Sequence, residues 1–401
     1  MGKSLQFLSA PILLRDTTVT ALKKRAAAGV GRILKDSFRR RAWIFGGMTR
    51  RKALNLLLNS AGFLASAKRL PTLPSIVKAD ISPVCSLRCP VCLHADPAGR
   101  GKPLLAAQAF SRSDRMDAAR FRQLVDSTDR KVLAFSLFYY GDPLAHPEIE
   151  TLCAIARSTG LNIHITSHFS YNLSDARIGK LADSGLSHLT VALDGASQEV
   201  YSSTRIGGRF DWVVSNLRRL VAYRNANGRA HPFVEVQYVA HEHHPAGEEA
   251  RVQVIAADCG ADQFKRIDPY PFDNVADEDP DQFDYGPAKP KGMLPKCHWP
   301  YTSMVVKHDG DVIPCCNYRA GQQFVAGGDK RVLGNVFQTP LRDIWNSEAY
   351  QAIRKLVSDP SLAERDPTYQ RSFCYGCPLL TERRPKQQAA EPPAGHPGPD
   401  A

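Results

Sequence analysis

The sequence predicts an α/β fold built from six strand–helix units along the middle of the chain. Short β-branched and aromatic runs alternate there with amphipathic segments of helical length. Strands that alternate with helices in this way form βα units around a parallel sheet. Six units in a row favour either a partial barrel or a doubly wound sheet. In barrels of this kind, functional residues lie on loops at the carboxyl ends of the strands.

Each unit is defined by its residue pattern. The predicted strands are residues 74–81, 131–140, 161–168, 188–195, 232–240 and 261–270. The predicted helices are residues 116–126, 146–160, 174–185, 210–228 and 247–260. Asp117 is suited to cap the first helix at its amino end, and Gly160 to end the second.

Composition limits the class of protein. The chain has 401 residues, of which 43% are hydrophobic and 23% charged, which is enough for two or three globular domains. Its ten cysteines are clustered and no clear secretory signal precedes them, which favours metal or redox chemistry over disulfides. No apolar run reaches the ~20 residues of a membrane-spanning helix. We therefore expect a cytoplasmic protein.

Positive charge is concentrated near the amino terminus. Residues 1–75 hold 15 Lys and Arg and two acidic residues, which gives them a net charge of +13. The remaining residues have a net charge of −1, so the whole chain carries +12. The stretch SFRRRAWIFGGMTRRKALNLLL mixes arginine with aromatic and aliphatic residues. Such an arm suits an anionic membrane surface, an anionic substrate or nucleic acid. The alternative is a solvated helical arm that packs on the main domain.

Three cysteines follow the first predicted strand. Cys85, Cys89 and Cys92 have the spacing C-x3-C-x2-C, and no fourth cysteine lies nearby. A structural zinc site or an ordinary iron–sulfur cluster takes four protein ligands. A cluster held by three thiolates would leave one iron open to a small molecule. The alternatives are a zinc site that lacks a ligand and a chance spacing.

A second cysteine set lies in the last third of the chain. Cys297 is followed by Gly310 and Cys315, and Cys374 and Cys377 form a C-x2-C pair much later. Four thiolates in two pairs suit either a zinc ribbon or a complete [4Fe–4S] site. The long separation between the two pairs argues against a compact zinc knuckle.

The three-cysteine loop after the first of six βα units resembles the radical S-adenosylmethionine (SAM) superfamily. The resemblance implies a partial (β/α)6 TIM-like barrel, with SAM bound to the open iron of a [4Fe–4S] cluster. It also implies reductive cleavage of SAM to a 5′-deoxyadenosyl radical, which takes hydrogen from a substrate. The chain would then be a radical SAM enzyme of the oxidoreductase or lyase type.

The same resemblance assigns residues to SAM binding, strand by strand. The turn YYGDP after the second strand departs from the family's Gly-Gly-Glu-Pro pattern at two positions, but it would meet the SAM amino group through its backbone. Arg205 would face the SAM carboxylate, because a planar guanidinium suits that partner. The full set is Tyr140, Gly141, Asp142, Thr166, Ser167, Asp194, Arg205 and Gln237.

The second cysteine set resembles the SPASM/Twitch extension of radical SAM enzymes, a small α+β domain that holds an auxiliary cluster. No cysteine follows Cys377, so the shorter form with one auxiliary [4Fe–4S] cluster fits better. Cys316 adjoins Cys315 and is an alternative ligand. The predicted organisation is a basic helical arm (1–74), the barrel (75–285), the auxiliary-cluster domain (286–378) and a disordered Pro-rich tail (379–401).

The resemblance leaves the substrate open. We expect a small molecule such as a sugar, an aminocyclitol or a lipid-linked intermediate, with flavodoxin or ferredoxin as the one-electron reductant. The first alternative is a maturase of a ribosomal peptide or protein. The second, from another class, is a zinc-dependent nucleic-acid-binding protein, although the six βα units argue against nucleic acid as the partner. The basic arm would allow peripheral contact with the inner face of a membrane.

Overall fold

The computed structural model describes residues 42–90, 92, 113–269, 283–315 and 332–385. The chain divides into two compact units, residues 1–43 and residues 44–401. Only the last two residues of the first unit are described, so the architecture below is that of the second unit.

Six parallel strands form the centre of the fold. They are β1 (Ile76–Ala79), β2 (Ala134–Ser136), β3 (Asn162–Ser167), β4 (His188–Ala192), β5 (Phe233–Val239) and β6 (Gln263–Ile267). Each strand pairs in parallel with the next one along the chain. A doubly wound sheet would reverse its strand order at a switch point. Here the six strands lie in the sheet in the same order as in the chain. The fold is therefore a partial barrel, which confirms the predicted fold class.

Helices connect the strands. They are α1 (Arg50–Leu64), α2 (Ala118–Asp126), α3 (Ile149–Ser158), α4 (Asp175–Asp183), α5 (Gln198–Thr204), α6 (Phe210–Ala226) and α7 (Glu248–Asp258). Asp117 caps α2 as predicted, because its carboxylate accepts the Arg120 amide at 2.8 Å. Within the described ranges, no helix is long and apolar enough to cross a membrane.

The strands are buried, which explains their apolar composition. All five residues of β4 are buried, as expected for a strand covered on both faces. The second predicted strand, residues 131–140, is shorter in the structure. Tyr139 and Tyr140 leave the sheet and form the loop that follows β2. Aromatic residues in a loop look like strand residues in a sequence, which is why the prediction ran too long.

The carboxyl-terminal third joins the same sheet. Its elements are α8 (Trp299–Thr302), β8 (Ser303–Val306), β9 (Val312–Ile313), α9 (Leu341–Trp345), α10 (Glu348–Ser358) and α11 (Leu362–Arg365). Strand β8 runs parallel to β1, and β9 runs antiparallel to β8. The resulting order is β6-β5-β4-β3-β2-β1-β8-β9. The region with the second cysteine set is therefore built onto the open edge of the barrel sheet.

Two further strands lie at predicted boundaries. Strand β7 (Phe283–Ala288) pairs antiparallel with β10 (Thr381–Pro385). The predicted border between residues 285 and 286 thus falls inside a strand. The structure also differs from the prediction of a disordered tail from residue 379, because residues 381–385 satisfy their backbone groups against β7. Residues 386–401 lie outside the described part of the chain.

Helix α1 belongs to the folded body, although it lies within the predicted arm. The Asn55 and Asn59 side-chain amides donate to the Leu73 carbonyl at 2.9 and 2.8 Å, and the Leu73 amide donates to Asn55 Oδ1 at 2.9 Å. The Phe63 ring meets the Tyr301 ring edge-on, 5.5 Å between centroids. An unsatisfied buried amide costs about 1–3 kcal/mol, so these bonds fix α1 in place.

Candidate active site

One cavity of about 750 Å³ brings the predicted site residues together. Its walls come from the carboxyl ends of the barrel strands and from the carboxyl-terminal region. All seven predicted cluster ligands line it, namely Cys85, Cys89, Cys92, Cys297, Cys315, Cys374 and Cys377. The eight residues predicted to bind SAM line it as well, namely Tyr140, Gly141, Asp142, Thr166, Ser167, Asp194, Arg205 and Gln237. Its volume is within the range of cofactor and substrate sites.

The three-cysteine loop is held by backbone bonds. The Cys92 amide donates to the Cys89 carbonyl at 2.9 Å, and the Arg88 amide donates to the Ile206 carbonyl at 3.0 Å. These bonds tie the loop to itself and to the segment after α5. Burial, with Asp142 and the neighbouring thiols adding to it, raises the pKa of the Cys85 thiol. A cation that binds the thiolate would reverse this preference for the neutral form.

Gly141 packs closely against the segment that leads into the three-cysteine loop. A Cβ atom at this position would collide with the carbonyl oxygens of Ser82 and Val84. The next residue adds a bond, because the Asp142 amide donates to the Val84 carbonyl at 2.9 Å. The loop after β2 thus packs backbone to backbone against the segment that leads into Cys85, and only glycine permits so close an approach.

Both oxygens of the Asp142 carboxylate accept hydrogen bonds from the protein. It accepts the Ser167 hydroxyl at 2.9 and 3.0 Å, the His168 amide at 2.8 Å and the Leu144 amide at 2.9 Å. Asp142 therefore joins the loops after β2 and β3. Ser167 also accepts the Phe169 amide at 2.9 Å. The side chains of Asp142 and Ser167 therefore position these loops.

Arg205 forms an ion pair at the cavity wall. Its Nε and Nη2 atoms lie 2.7 and 2.6 Å from Asp194 Oδ2, and Nη1 lies 3.9 Å from Cys89 Sγ. Asp194 Oδ1 accepts the Val239 amide at 2.8 Å, which fixes the carboxylate. Burial alone would lower the Arg205 pKa, but Asp194 and the Cys89 thiol raise it above its ordinary value. The guanidinium is thus a fixed positive charge beside the first cysteine set.

Asp80 is a buried acid that the sequence prediction missed. It is 1% exposed, its Oδ1 atom accepts the Tyr140 amide at 3.4 Å, and Oδ2 has no hydrogen-bond partner in the described part of the chain. Burial raises its pKa to about 7, against the opposing effects of the Tyr140 amide and Lys307. The first predicted strand, residues 74–81, included Asp80, and its position five residues before Cys85 was the only signal for it in the sequence.

The far side of the cavity carries polar side chains from β3 and β5. The Thr166 hydroxyl lies 3.4 Å from His164 Nε2, and Gln237 lines the cavity from the middle of β5. His241 lines it from the loop after β5. Burial lowers the His241 pKa; His244, His243 and Arg205 lower it further, while Asp194 opposes them. His241 is therefore neutral at neutral pH.

The second cysteine set approaches from the carboxyl-terminal region. Cys374 and Cys377 share a tight turn, in which the Cys377 amide donates to the Cys374 carbonyl at 3.2 Å. Burial raises the pKa of Cys297 to about 11, and the nearby Cys377 thiol contributes. Cys315 follows β9, and Cys316 lies outside the described residues.

The donors of both sets fit iron–sulfur clusters. Each set consists of soft thiol ligands, which favour such clusters or zinc. In the described ranges, no three His, Cys, Asp or Glu side chains converge closely enough to hold one ion. Cys153 and Cys259 are buried elsewhere in the fold and do not line the cavity.

A six-stranded partial barrel with two thiolate sets on one cavity defines an iron–sulfur enzyme of the βα-barrel type. The family comparisons identify it further. Residues 80–230 match the radical SAM superfamily, and residues 297–378 match SPASM, an iron–sulfur cluster-binding domain. The chain thus belongs to the radical SAM superfamily and carries a SPASM domain. A [4Fe–4S] cluster with SAM and auxiliary iron–sulfur binding are its cofactors, which favours this class over the zinc-dependent alternative.

Individual relatives share parts of the chain. A GTP 3′,8-cyclase of Chlorobaculum tepidum is 27% identical over 165 residues, which are 41% of this chain and 46% of that protein. A PqqA peptide cyclase of Rhizobium meliloti is 30% identical over 145 residues, 36% of this chain and 35% of that protein. The chain thus spans less than half the length of these two relatives.

Among solved structures, the chain is similar to Streptococcus suis SuiB bound to the precursor peptide SuiA. The TM-score is 0.50 at 15% sequence identity, and the match covers 76% of this chain and 73% of SuiB. At this identity the similarity shows the fold alone. It supports the overall α/β fold described above.

Proposed function

We propose that this protein cleaves SAM reductively and uses the radical to take a hydrogen atom from an organic substrate in the cavity. The observation that carries the proposal is that both cysteine sets and the predicted SAM residues line one cavity. When bound, the two clusters and SAM would supply one-electron transfer and a carbon-centred radical. Anaerobically purified protein with SAM and a strong one-electron reductant should form 5′-deoxyadenosine. Failure to form it would contradict the proposal.

The protein's own residues would place SAM and exclude water. Cys85, Cys89 and Cys92 would hold the first cluster, and the backbone beside Gly141 would meet the SAM amino group. Arg205 would attract the SAM carboxylate, since Asp194 fixes the guanidinium at the cavity wall. Because the ion pair is already formed, little side-chain ordering would be needed on binding.

The second cysteine set would make the reaction a net oxidation. A substrate radical that loses one further electron and a proton becomes a stable product oxidised by two electrons. We propose that Cys297, Cys315, Cys374 and Cys377 would hold a group able to accept that electron, and that His241 would accept the proton. The result would be a two-electron oxidation that consumes one SAM per turnover. Flavodoxin or ferredoxin would supply the first electron.

Two substrate classes fit the cavity. The first is a small molecule, because a volume of about 750 Å³ shared with SAM leaves limited room. The second is a peptide, which the PqqA peptide cyclase relative supports at least as well. Size-fractionated cell extract distinguishes them, with stimulation of SAM cleavage as the readout. Stimulation that protease treatment abolishes would indicate a peptide, and stimulation that survives protease would indicate a small molecule.

Iron content tests the second cluster. The protein should contain about eight irons per chain if both sites hold [4Fe–4S] clusters. Replacing Cys374 and Cys377 with alanine should leave about four, because two of four ligands are lost, while cleavage of SAM without substrate persists. About four irons and one zinc in the unsubstituted protein would contradict the proposal and indicate a zinc-stabilised domain.

His241→Gln tests the proton acceptor. We expect the rate of substrate oxidation to fall about 10²-fold, the lower range for loss of a general base. Because the His241 pKa is lowered, the wild-type rate should rise with pH through a value below 6.5 and then level off. The variant should lose this rise and keep its affinity for SAM.

His243→Gln is the matched control for that variant. His243 belongs to the same loop, but its Nε2 atom lies beside the hydroxyls of Ser203 and Thr204, at 3.3 and 3.4 Å. The control should keep the wild-type rate at neutral pH and the rise of the rate with pH, with the rise moved slightly upward in pH because His243 lowers the His241 pKa. If His241→Gln kept them too, or if both variants lost activity equally, His241 would not be the proton acceptor.

A further inference from the structure

Helix α1 presents four leucines to solvent and buries polar side chains against the protein. The exposed leucines are Leu54, Leu57, Leu58 and Leu64, which are 57%, 65%, 38% and 63% exposed. Their spacing of three, four and seven residues places them on one face of the helix. The buried residues are Lys52, Asn55, Asn59 and Gly62. An ordinary surface helix has the opposite orientation.

The inverted orientation is fixed by specific contacts. Asn59 Nδ2 donates to the Ser75 hydroxyl at 2.9 Å, in addition to its bond with the Leu73 carbonyl. Lys52 Nζ donates to the Gly160 carbonyl at 2.6 Å. A Cβ atom on Gly62 would collide with the Leu70 side chain. Rotation of α1 to bury its leucines would break all these contacts, so the apolar face is a constant part of the surface.

The segment that carries this face is positively charged. Residues 42–75 contain five Lys and Arg and no acidic residue. Four of the five are exposed, with Arg50 and Arg51 at the start of α1 and Lys68 and Arg69 just beyond its end. Phe45 and Met48, which precede the helix, are 42% and 40% exposed and add apolar surface. An apolar stripe with cations at both ends is typical of helices that lie in the interface of an anionic membrane.

We infer that the exposed face of α1 binds the surface of a lipid bilayer that carries anionic headgroups. The leucines would enter the boundary between headgroups and acyl chains, and the four exposed cations would meet lipid phosphates. A second copy of the chain is a poorer partner, because its cations would oppose those of the first. Nucleic acid is also a poorer partner, because a phosphate backbone offers nothing to the leucines.

Vesicle flotation with the full chain tests this surface and needs no turnover. The wild-type protein should float with vesicles of phosphatidylglycerol and phosphatidylcholine in equal parts, and about tenfold less with phosphatidylcholine alone. High salt should weaken the binding, because it screens the cations. The variant with Leu54, Leu57 and Leu64 replaced by glutamine should bind anionic vesicles at least about tenfold less.

A matched control replaces three exposed apolar residues elsewhere, Val254, Met293 and Leu294, with glutamine. They are 59%, 97% and 42% exposed, and this control should bind as the wild type does. Unchanged circular dichroism and cluster absorption would show that both variants fold. The inference is overturned if the leucine variant floats like the wild type, because residues 1–41 would then account for binding. It is equally overturned if the wild type does not float, or if it forms a dimer that the leucine variant loses.

Discussion

Replacement of Cys85, Cys89 and Cys92 by alanine in one variant is expected to abolish formation of 5′-deoxyadenosine from SAM. The three thiols line the cavity beside Arg205, and the match to the radical SAM superfamily implies that they would hold a cluster with one position left for SAM. Without the thiolates, neither the electron nor the binding position for SAM remains. Product should fall below detection by chromatography under strong reductant, and iron should fall from about eight to about four per chain.

The control for this variant uses cysteines of the barrel core. Cys153 is fully buried in α3, and Cys259 is 4% exposed at the end of α7, and neither lines the cavity. Cys153→Ala and Cys259→Ala should keep both the iron content and SAM cleavage, at a modest cost in stability. Production of 5′-deoxyadenosine by the triple variant would show that the first cluster has been assigned to the wrong cysteines.

The barrel could be predicted because its signals are local. Each strand is a short apolar run and each helix has its own period and cap, as with Asp117 at the start of α2. Strand β8 could not be placed from local signals. Besides the short β9 that follows it, its four residues pair with β1, more than two hundred positions earlier in the chain. No local pattern in the sequence contains a pairing of that kind.

The candidate site was likewise predictable where its signals are local and unpredictable where they depend on long-range contacts. The loops after parallel strands meet at one end of a barrel, so the sequence could place its candidates around one cavity. The bonds between those loops were out of reach, because Ser167 meets Asp142 only when two separate loops are folded together. Asp80 was missed for a related reason, since an acidic residue after a strand gives no sign that it will be buried.

The amino-terminal arm was the least predictable region. Its charge left two interpretations open, namely contact with an anionic surface or partner, and a solvated helical arm that packs on the main domain. The structure shows that exposed cations and a firmly packed helix occur together in residues 50–70. Arg354 links this segment to the carboxyl-terminal region. Its Nη1 atom donates to the Lys68 carbonyl at 3.0 Å, and its Nε atom donates to the Pro300 carbonyl at 2.9 Å.

Removal of residues 1–70 is therefore expected to unfold the protein or prevent its assembly with clusters. Arg354 is fully buried among Tyr301, Tyr350 and Trp345, and burial lowers its pKa to about 10, so it stays charged at neutral pH. The deletion removes one of its two carbonyl acceptors and also removes α1. Each buried group left without a partner costs about 1–3 kcal/mol, and domains are stable by only about 5–15 kcal/mol.

Removal of residues 1–41 alone is the matched comparison, because it keeps α1 and the Lys68 carbonyl. The shorter deletion should give soluble protein with the iron content of the full chain. The longer one should give aggregated protein with little iron, measured after anaerobic expression of both. Soluble, iron-loaded protein from the longer deletion would mean that the contacts of α1 add little to stability. The helix would then serve chiefly to present its exposed leucines, and its buried asparagines would only set the direction in which they point.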